Sequence, residues 1–301
     1  MTSRNTVPEL PSTNAKRAEN PVQMRMSPGC SGAAITDLFG RAQSLRDEYL
    51  NAKPWPHIVV NNGFPEDLLD SIAAEIAHLD EARLISSNED RQIKQEASED
   101  LGPATNQFFE LVDGAEFREF ISTVTGVDGL LSDPTHKFGG AHRTPPGGFT
   151  KIHRDFEVHP VTGLFHRVNL LVYLNRDWPL SYGGSLELWP SDMSAIGRRI
   201  FPQFNTMVLW ETHGATLHGL PDPVTCPPNR MRLSVASYYY TKQRRRAGPG
   251  ERRTRYWAAR PGEDRSIERM NWLDHVRAAT PEPLKYLVRA VRDQFVRREP
   301  T

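Results

Sequence analysis

Apolar positions recur at two different periods along this chain. In PEDLLDSIAAEIAHL, Leu68, Leu69, Ile72, Ile76 and Leu79 fall at helical spacing, which predicts an amphipathic helix with one buried face. Another helix is predicted after Thr36, which can cap it, with Leu38, Leu45 and Tyr49 on one side. Two shorter helices are predicted around 104–112 and 115–125, and PWPHIVVNNGFP reads as a short strand between proline and glycine punctuation. From about Lys137 the pattern changes to short β-branched and aromatic runs: FTKIHRDF, HRVNLLVYL, GSLELW, TMVLW and MRLSVASYYY. Such runs, parted by Gly, Pro, Asn and Asp, predict a sandwich or barrel with the front helices over one outer face. After Tyr240, KQRRRAGPGERRTR is predicted as a loop, and a last helix is expected near 283–297, with Leu284, Leu287, Val288, Val291 and Phe295 on one side.

The domain division that follows is a disordered tail over 1–33, a helical front over 34–136, a β core over 137–242, and a basic loop with a C-terminal helix over 243–301. The tail is assigned because a polar, proline-containing stretch without period cannot offset the entropy of ordering. A chain of 301 residues can bury one sizeable core. No window approaches the ~18 consecutive apolar residues of a membrane span, and the first residues lack the apolar centre of a secretory signal, so a cytoplasmic protein without membrane contact is expected. Cys30 and Cys226 are too few for a disulfide framework or a thiolate zinc site. The 37 basic and 37 acidic residues balance, so bulk charge gives no argument for a nucleic-acid partner.

Candidate chemistry lies in KIHRDFEVHPVTGLFHRVNLLVYLN, where His153, Asp155, His159 and His166 crowd the entry to an apolar strand. On a strand, residues two apart share a face, so His153 and Asp155 project together while Arg154 points away. The best third ligand is His218 in ETHGATLHGLPDP, after the strand TMVLW. Two imidazoles and one carboxylate on one side of an iron ion leave the opposite positions open, the arrangement of non-haem Fe(II) oxygenases. In RMRLSVASYYY, Arg232, Ser234 and Ala236 face one way, and a guanidinium beside a hydroxyl suits bidentate capture of a buried carboxylate.

From PWPHIVV at 54–60 to YYYT at 238–241, the chain resembles the 2-oxoglutarate- and Fe(II)-dependent oxygenases, in particular their prolyl-4-hydroxylase-like branch. GGFTKIHRDF, NLLVYLNRDW, YGGSLELW, FNTMVLWETHGATLHG and RMRLSVASYYYT carry the resemblance by their order, with a weaker echo in RYWAARPGED. The resemblance implies a double-stranded β-helix (a cupin-like jelly roll) in an α+β chain. It assigns His153, Asp155 and His218 to iron, and Arg232, with Ser234 beside it, to the distal carboxylate of 2-oxoglutarate. Tyr173 matches a tyrosine that shares that carboxylate, and Asn169, on the same strand face, is placed at the co-substrate or behind the metal ligands. Arg230 is the rival of Arg232, but the R-x-S pattern and the alternation favour the later residue. His142 and Lys151 are candidates for the pocket lining; His159 and His166 are read as surface or turn residues, and His213 as too far from His218 to share its ion. The expected cofactors are Fe(II), 2-oxoglutarate and O2, with ascorbate as an accessory.

The implied reaction is hydroxylation of an unactivated C–H bond of a small molecule or peptidyl substrate, with 2-oxoglutarate decarboxylated to succinate. Asp155 stands where related halogenases carry a small residue, so hydroxylation is the expected outcome. Leu171, Leu186, Leu188 and Trp189 are read as core and pocket wall, and Gly183 and Gly184 as a turn or bulge. The competing reading is a non-catalytic β-sandwich module that binds RNA or an acidic partner through the basic segment 244–257, where arginines alternate with Tyr256 and Trp257. Glu251, Glu263 and Asp264 dilute that charge and favour a solvated loop. A cupin-type metalloenzyme is disfavoured by the carboxylate in the first ligand pair and by the arginine strand.

Overall fold

The computed structural model describes residues 31–81, 84–89, 91–133, 135–243 and 256–264. In chain order its elements are α1 (Ser31–Gly40), α2 (Ala42–Asn51), β1 (His57–Asn61), α3 (Glu66–Ala77), β2 (Ile85–Glu89) and β3 (Gln92–Ala97). They continue with α4 (Pro103–Asp113), α5 (Ala115–Thr125), β4 (Leu131–Ser132), β5 (Gly140–Thr144), β6 (Phe149–Arg154) and β7 (Phe165–Tyr173). The last are β8 (Leu186–Trp189), β9 (Arg198–Ile200), β10 (Thr206–Glu211), β11 (Leu217–Leu220), β12 (Arg232–Thr241) and β13 (Tyr256–Trp257). The expected basic loop over 244–255, the C-terminal helix at 283–297, Cys30 and all but the end of the expected tail lie outside the described residues. Among the described residues, no helix is long and apolar enough to cross a membrane.

The strands hydrogen-bond in the order β1-β10-β7-β12-β5-β3-β6-β11-β8-β9, with β13 added to β6, β2 to β3 and β4 to β12. β3 turns the corner: Gln95–Ala97 pair with β5, whereas Gln92 and Ile93 pair with β6. The antiparallel sheet therefore folds onto itself as two layers, the double-stranded β-helix that the resemblance implied. Strand alternation gives the larger layer two different faces. Val168, Leu170 and Val172 of β7 and Leu233, Val235 and Tyr239 of β12 pack with Leu45, Tyr49, Leu69, Ile72, Phe108 and Phe117 of the helices. Each such side chain contributes about 1.5–3 kcal/mol by leaving water. The intervening Asn169, Leu171, Arg232, Ser234 and Ala236 line a cavity between the layers.

Two features of the front section differ from the sequence reading. Thr36 lies inside α1 rather than capping a helix, and the predicted first helix is split at Arg41; Leu38, Leu45 and Tyr49 are nonetheless buried. The polar run ISSNEDRQIKQEA, read as part of a helical section, instead forms the hairpin β2–β3. It has no apolar alternation, and its strand state is fixed by pairing with β5 and β6.

The last turn of α4 touches β12. Tyr239 donates its hydroxyl hydrogen to the carbonyl of Val112 at 2.9 Å, and Ser237 reaches the Asp113 carboxylate at 3.4 Å. Burial raises the Asp113 carboxyl from 3.8 to about 6, against the hydroxyls of Ser132 and Ser237. The folded protein thus holds this proton more tightly than the unfolded chain, so the site's stabilising effect is complete below pH ~4 and is lost as pH rises through about 6. Asp113→Asn is expected to raise thermal stability at pH 7.5 by about 1–2 kcal/mol, a figure reduced for partial solvent screening, with a smaller gain at pH 5. Melting curves at the two pH values check it; a less stable variant at pH 7.5 contradicts it.

Candidate functional site

β6 and β11 lie side by side with His153 and His218 in direct register, and their rings are 4.6 Å apart between centroids. Gly219 permits this approach. A Cβ there would stand 2.8 Å from the carbonyl oxygens of Lys151 and Thr150. Gly219→Ala is expected to push β11 off β6, lower stability by about 1–3 kcal/mol and weaken metal binding, as melting curves and a metal titration would report.

Asp155 follows β6 and completes a buried cluster: ligand-type atoms of His153, Asp155 and His218 all lie within 4.8 Å of one another. His153 Nδ1 lies 2.9 Å from the carbonyl of Lys151, and His218 Nδ1 lies 3.1 Å from that of Thr216. A carbonyl only accepts, so each Nδ1 carries a proton and each Nε2 is left to face Asp155. Those Nε2 atoms stand 3.4 and 3.5 Å from the Asp155 carboxylate oxygens. Burial alone would raise the Asp155 carboxyl, but His218 and then His153 hold it well below the usual carboxylate range. A buried carboxylate facing two imidazole Nε2 atoms is a donor set suited to a divalent first-row cation.

Asn169 sits behind the cluster. It donates from Nδ2 to Asp155 Oδ2 at 2.7 Å and accepts at Oδ1 from His166 Nε2, also at 2.7 Å. His166 is held among the rings of Phe156, Tyr238 and Tyr240. The surface reading of His166 and His159 is therefore corrected, although His159 does serve its turn, where Nδ1 accepts from the backbone N–H groups of Val161 and Thr162. Both are buried, and His159 lies 3.1 Å from the equally buried Asp133. Their positions beside FEVHPVTGLFH looked like a turn, and nothing local shows that the turn packs under the β7–β12 ladder. His213 stays in its own turn, where Nδ1 accepts from the backbone N–H of Ala215.

Across the cavity, Tyr173, Ser234 and His142 stand in one cross-strand row, since Ser234 pairs with Tyr173 on one side and His142 on the other. Arg232 is buried, lies 4.8 Å from the centroid of the Tyr173 ring and donates from Nε to the carbonyl of Gly184 at 2.8 Å. Among the described residues no carboxylate forms an ion pair with it, and the hydroxyls of Tyr173 and Ser234 and the indole nitrogen of Trp210 are buried without hydrogen-bond partners. Burial lowers the Arg232 guanidinium and raises the Tyr173 phenol, while each draws the other back. His142 falls to about 4 through burial, with Lys94 adding to the effect, so it is neutral near pH 7. Gly184 does more than form a turn: its φ is +80° and a Cβ would stand 3.0 Å from Arg232 Cδ, so a side chain there would displace the guanidinium.

Arg230, the rival of Arg232, turns outward and donates to the carbonyls of Asp177 and Arg176. Lys151 pairs with Glu263 at 3.2 Å rather than lining the cavity, which Leu171, Leu186 and His142 do line. Leu188 and Trp189 are buried in the smaller layer. Cys226 packs with Trp178, Leu220 and Val224. Of the basic segment, Tyr256 and Trp257 form β13 against β6.

A jelly roll that gathers two histidines and an aspartate in one buried cluster, and lines one cavity with those histidines and a buried arginine, has the architecture of a non-haem metal oxygenase. Residues 139–240 match the profile of the 2OG-Fe(II) oxygenase superfamily. The matched residues, which include His153, Asp155, His218 and Arg232, have the pattern of a 2OG-Fe(II) oxygenase domain. The fold is similar to that of a Pseudomonas putida prolyl-4-hydroxylase, at 20% identity and a TM-score of 0.50 over 67% of this chain and 100% of that one. A Trichoplax adhaerens prolyl hydroxylase, solved with a peptide fragment of the hypoxia inducible factor oxygen degradation domain, gives 15% identity and a TM-score of 0.51 over 69% and 92%. A prolyl 4-hydroxylase from Phytophthora capsici gives 16% and 0.50 over 73% and 69%. No curated protein matches the chain by sequence.

Proposed function

We propose that this chain is an Fe(II)- and 2-oxoglutarate-dependent hydroxylase that acts on an unactivated C–H bond of a small molecule or peptidyl substrate and converts 2-oxoglutarate to succinate and CO2. The observation that carries this reading is the buried Arg232, which has no anionic partner among the described residues, in a cavity that is also lined by His153 and His218 of the three-residue cluster. A buried guanidinium left unpaired is costly. The two unpartnered hydroxyls beside it add donors that suit the far carboxylate of a dicarboxylic acid.

His153 and His218 would hold the metal through Nε2, and Asp155 through the oxygen that Asn169 leaves free. Iron bound there supplies dioxygen chemistry, for which 2-oxoglutarate provides the electrons as it is decarboxylated. The protein's own groups bind and orient. Arg232, Tyr173 and Ser234 fix the far end of the co-substrate, His166 and Asn169 fix the carboxylate, and Leu171, Leu186 and Ala236 keep bulk water from the reacting end.

The test is succinate formation from 2-oxoglutarate under air, with and without added Fe(II). Formation that needs the metal and disappears in His153→Ala supports the reading; an equal rate in that variant removes it. Ascorbate is expected to prolong turnover by keeping the iron ferrous.

A further inference from the structure

The superfamily match ends at residue 240, yet a later segment returns to the site. Tyr256 and Trp257 extend the smaller layer as β13, with Trp257 in register with His153, and Ala258 donates its N–H to the carbonyl of Ile152 at 2.8 Å. Ala258 and Ala259 are buried behind this pair. Beyond them, Arg260 bridges Asp222 at 2.8 Å and Glu263 at 2.9 Å, and Glu263 in turn takes Lys151 of β6 at 3.2 Å. The segment is thus fastened by backbone pairing at one end and by an ionic latch at the other. Between them the Trp257 indole lies 5.0 Å from the His153 ring at a 40° tilt, and the Arg91 guanidinium lies 6.0 Å from the centroid of the Trp257 ring.

We propose that residues 256–264 form a strap that belongs to the metal centre, with Trp257 as a positioning residue that restrains the His153 imidazole. The proposal rests on the iron reading above. The hydrogen bond from Nδ1 to the Lys151 carbonyl fixes one edge of the imidazole, and rocking about that edge would move Nε2. The indole against its face removes that freedom and keeps Nε2 directed toward Asp155 and His218. Outer contacts of this kind change metal affinity by roughly 10–100-fold. Arg232, Tyr173 and Ser234 are untouched by the strap, so co-substrate affinity is expected to change little once metal is saturating.

The test is anaerobic titration of Co(II) into the full-length protein, with bound metal followed by its visible absorption and, separately, by tryptophan fluorescence. Trp257→Ala is expected to weaken Co(II) binding about ten-fold or more. Trp257→Phe, which keeps a ring on His153, should restore most of the affinity. Arg260→Ala, which leaves the indole intact but opens the latch, should weaken binding by an intermediate factor and guards against a misfolded Trp257→Ala. Wild-type affinity in both Trp257→Ala and Arg260→Ala overturns the strap while leaving the metal reading in place. No Co(II) uptake by the wild-type protein overturns the metal reading, and the strap with it.

Discussion

Asp155→Ala is expected to reduce 2-oxoglutarate-dependent succinate formation by roughly 10³-fold or more, the scale of losing a fixed electrostatic contributor from an active site. Asp155 is the only anion in the three-residue cluster, and it is held ionised by His218 and His153 despite its burial. Without it, only two imidazoles remain to hold a dication, and the Asn169 amide that was fastened to the carboxylate is left facing a buried space. Asp155→Asn separates charge from shape, because the amide fills the same volume without the charge. Both variants should lose activity to a similar degree. Asn169→Ala removes only the outer hydrogen bond and should lose about 10–100-fold. Assays at saturating Fe(II) and 2-oxoglutarate check the order; full activity in Asp155→Asn contradicts it.

Arg232→Met should raise the 2-oxoglutarate concentration needed for half-maximal rate by about 10²–10³-fold, corresponding to the loss of one partner of a buried, hydrogen-bonded charge pair. The same change should leave the ligand-free protein as stable as the wild type or more so. In the ligand-free protein, the guanidinium is desolvated with the Gly184 carbonyl and the Tyr173 ring beside it, and replacing a buried unpaired charge by an apolar side chain relieves that cost. Loss of co-substrate affinity together with retained or increased melting temperature identifies a residue kept for binding rather than for folding. Adding 2-oxoglutarate with Mn(II) should raise the melting temperature of the wild type and not that of Arg232→Met. A variant that is both destabilised and unchanged in co-substrate affinity would reverse the assignment.

Much of this site could be read from order and alternation. The His-x-Asp spacing brings His153 of β6 and Asp155 just beyond it together, and Arg232 and Ser234 share a face of β12, so each half of the site was legible within a few residues. The front helices α3, α4 and α5 were legible because their apolar residues recur at helical spacing. What escaped depends on contacts distant in the chain. The β2–β3 hairpin is polar on both faces and is a strand only because β5 and β6 accept it. His159 and His166 look like turn residues until β12 covers them with Tyr238 and Tyr240. Trp257 lies in an arginine-rich run whose composition suggested an exposed loop, and only its register with His153 places it at the site. Gly184 signalled a turn, but its close contact with Arg232 is a tertiary fact that no local pattern contains.

The most direct measurement is the stoichiometry and affinity of a divalent metal on the purified chain under anaerobic conditions, for the wild type, His153→Ala and His218→Ala. Two histidines from different strands that serve one ion should give a single site per chain, filled by Fe(II) or by Mn(II) as its probe, and lost to a similar degree in both variants. One variant that still binds metal with wild-type affinity would show that these side chains do not share an ion, and the oxygenase chemistry argued from them would fall.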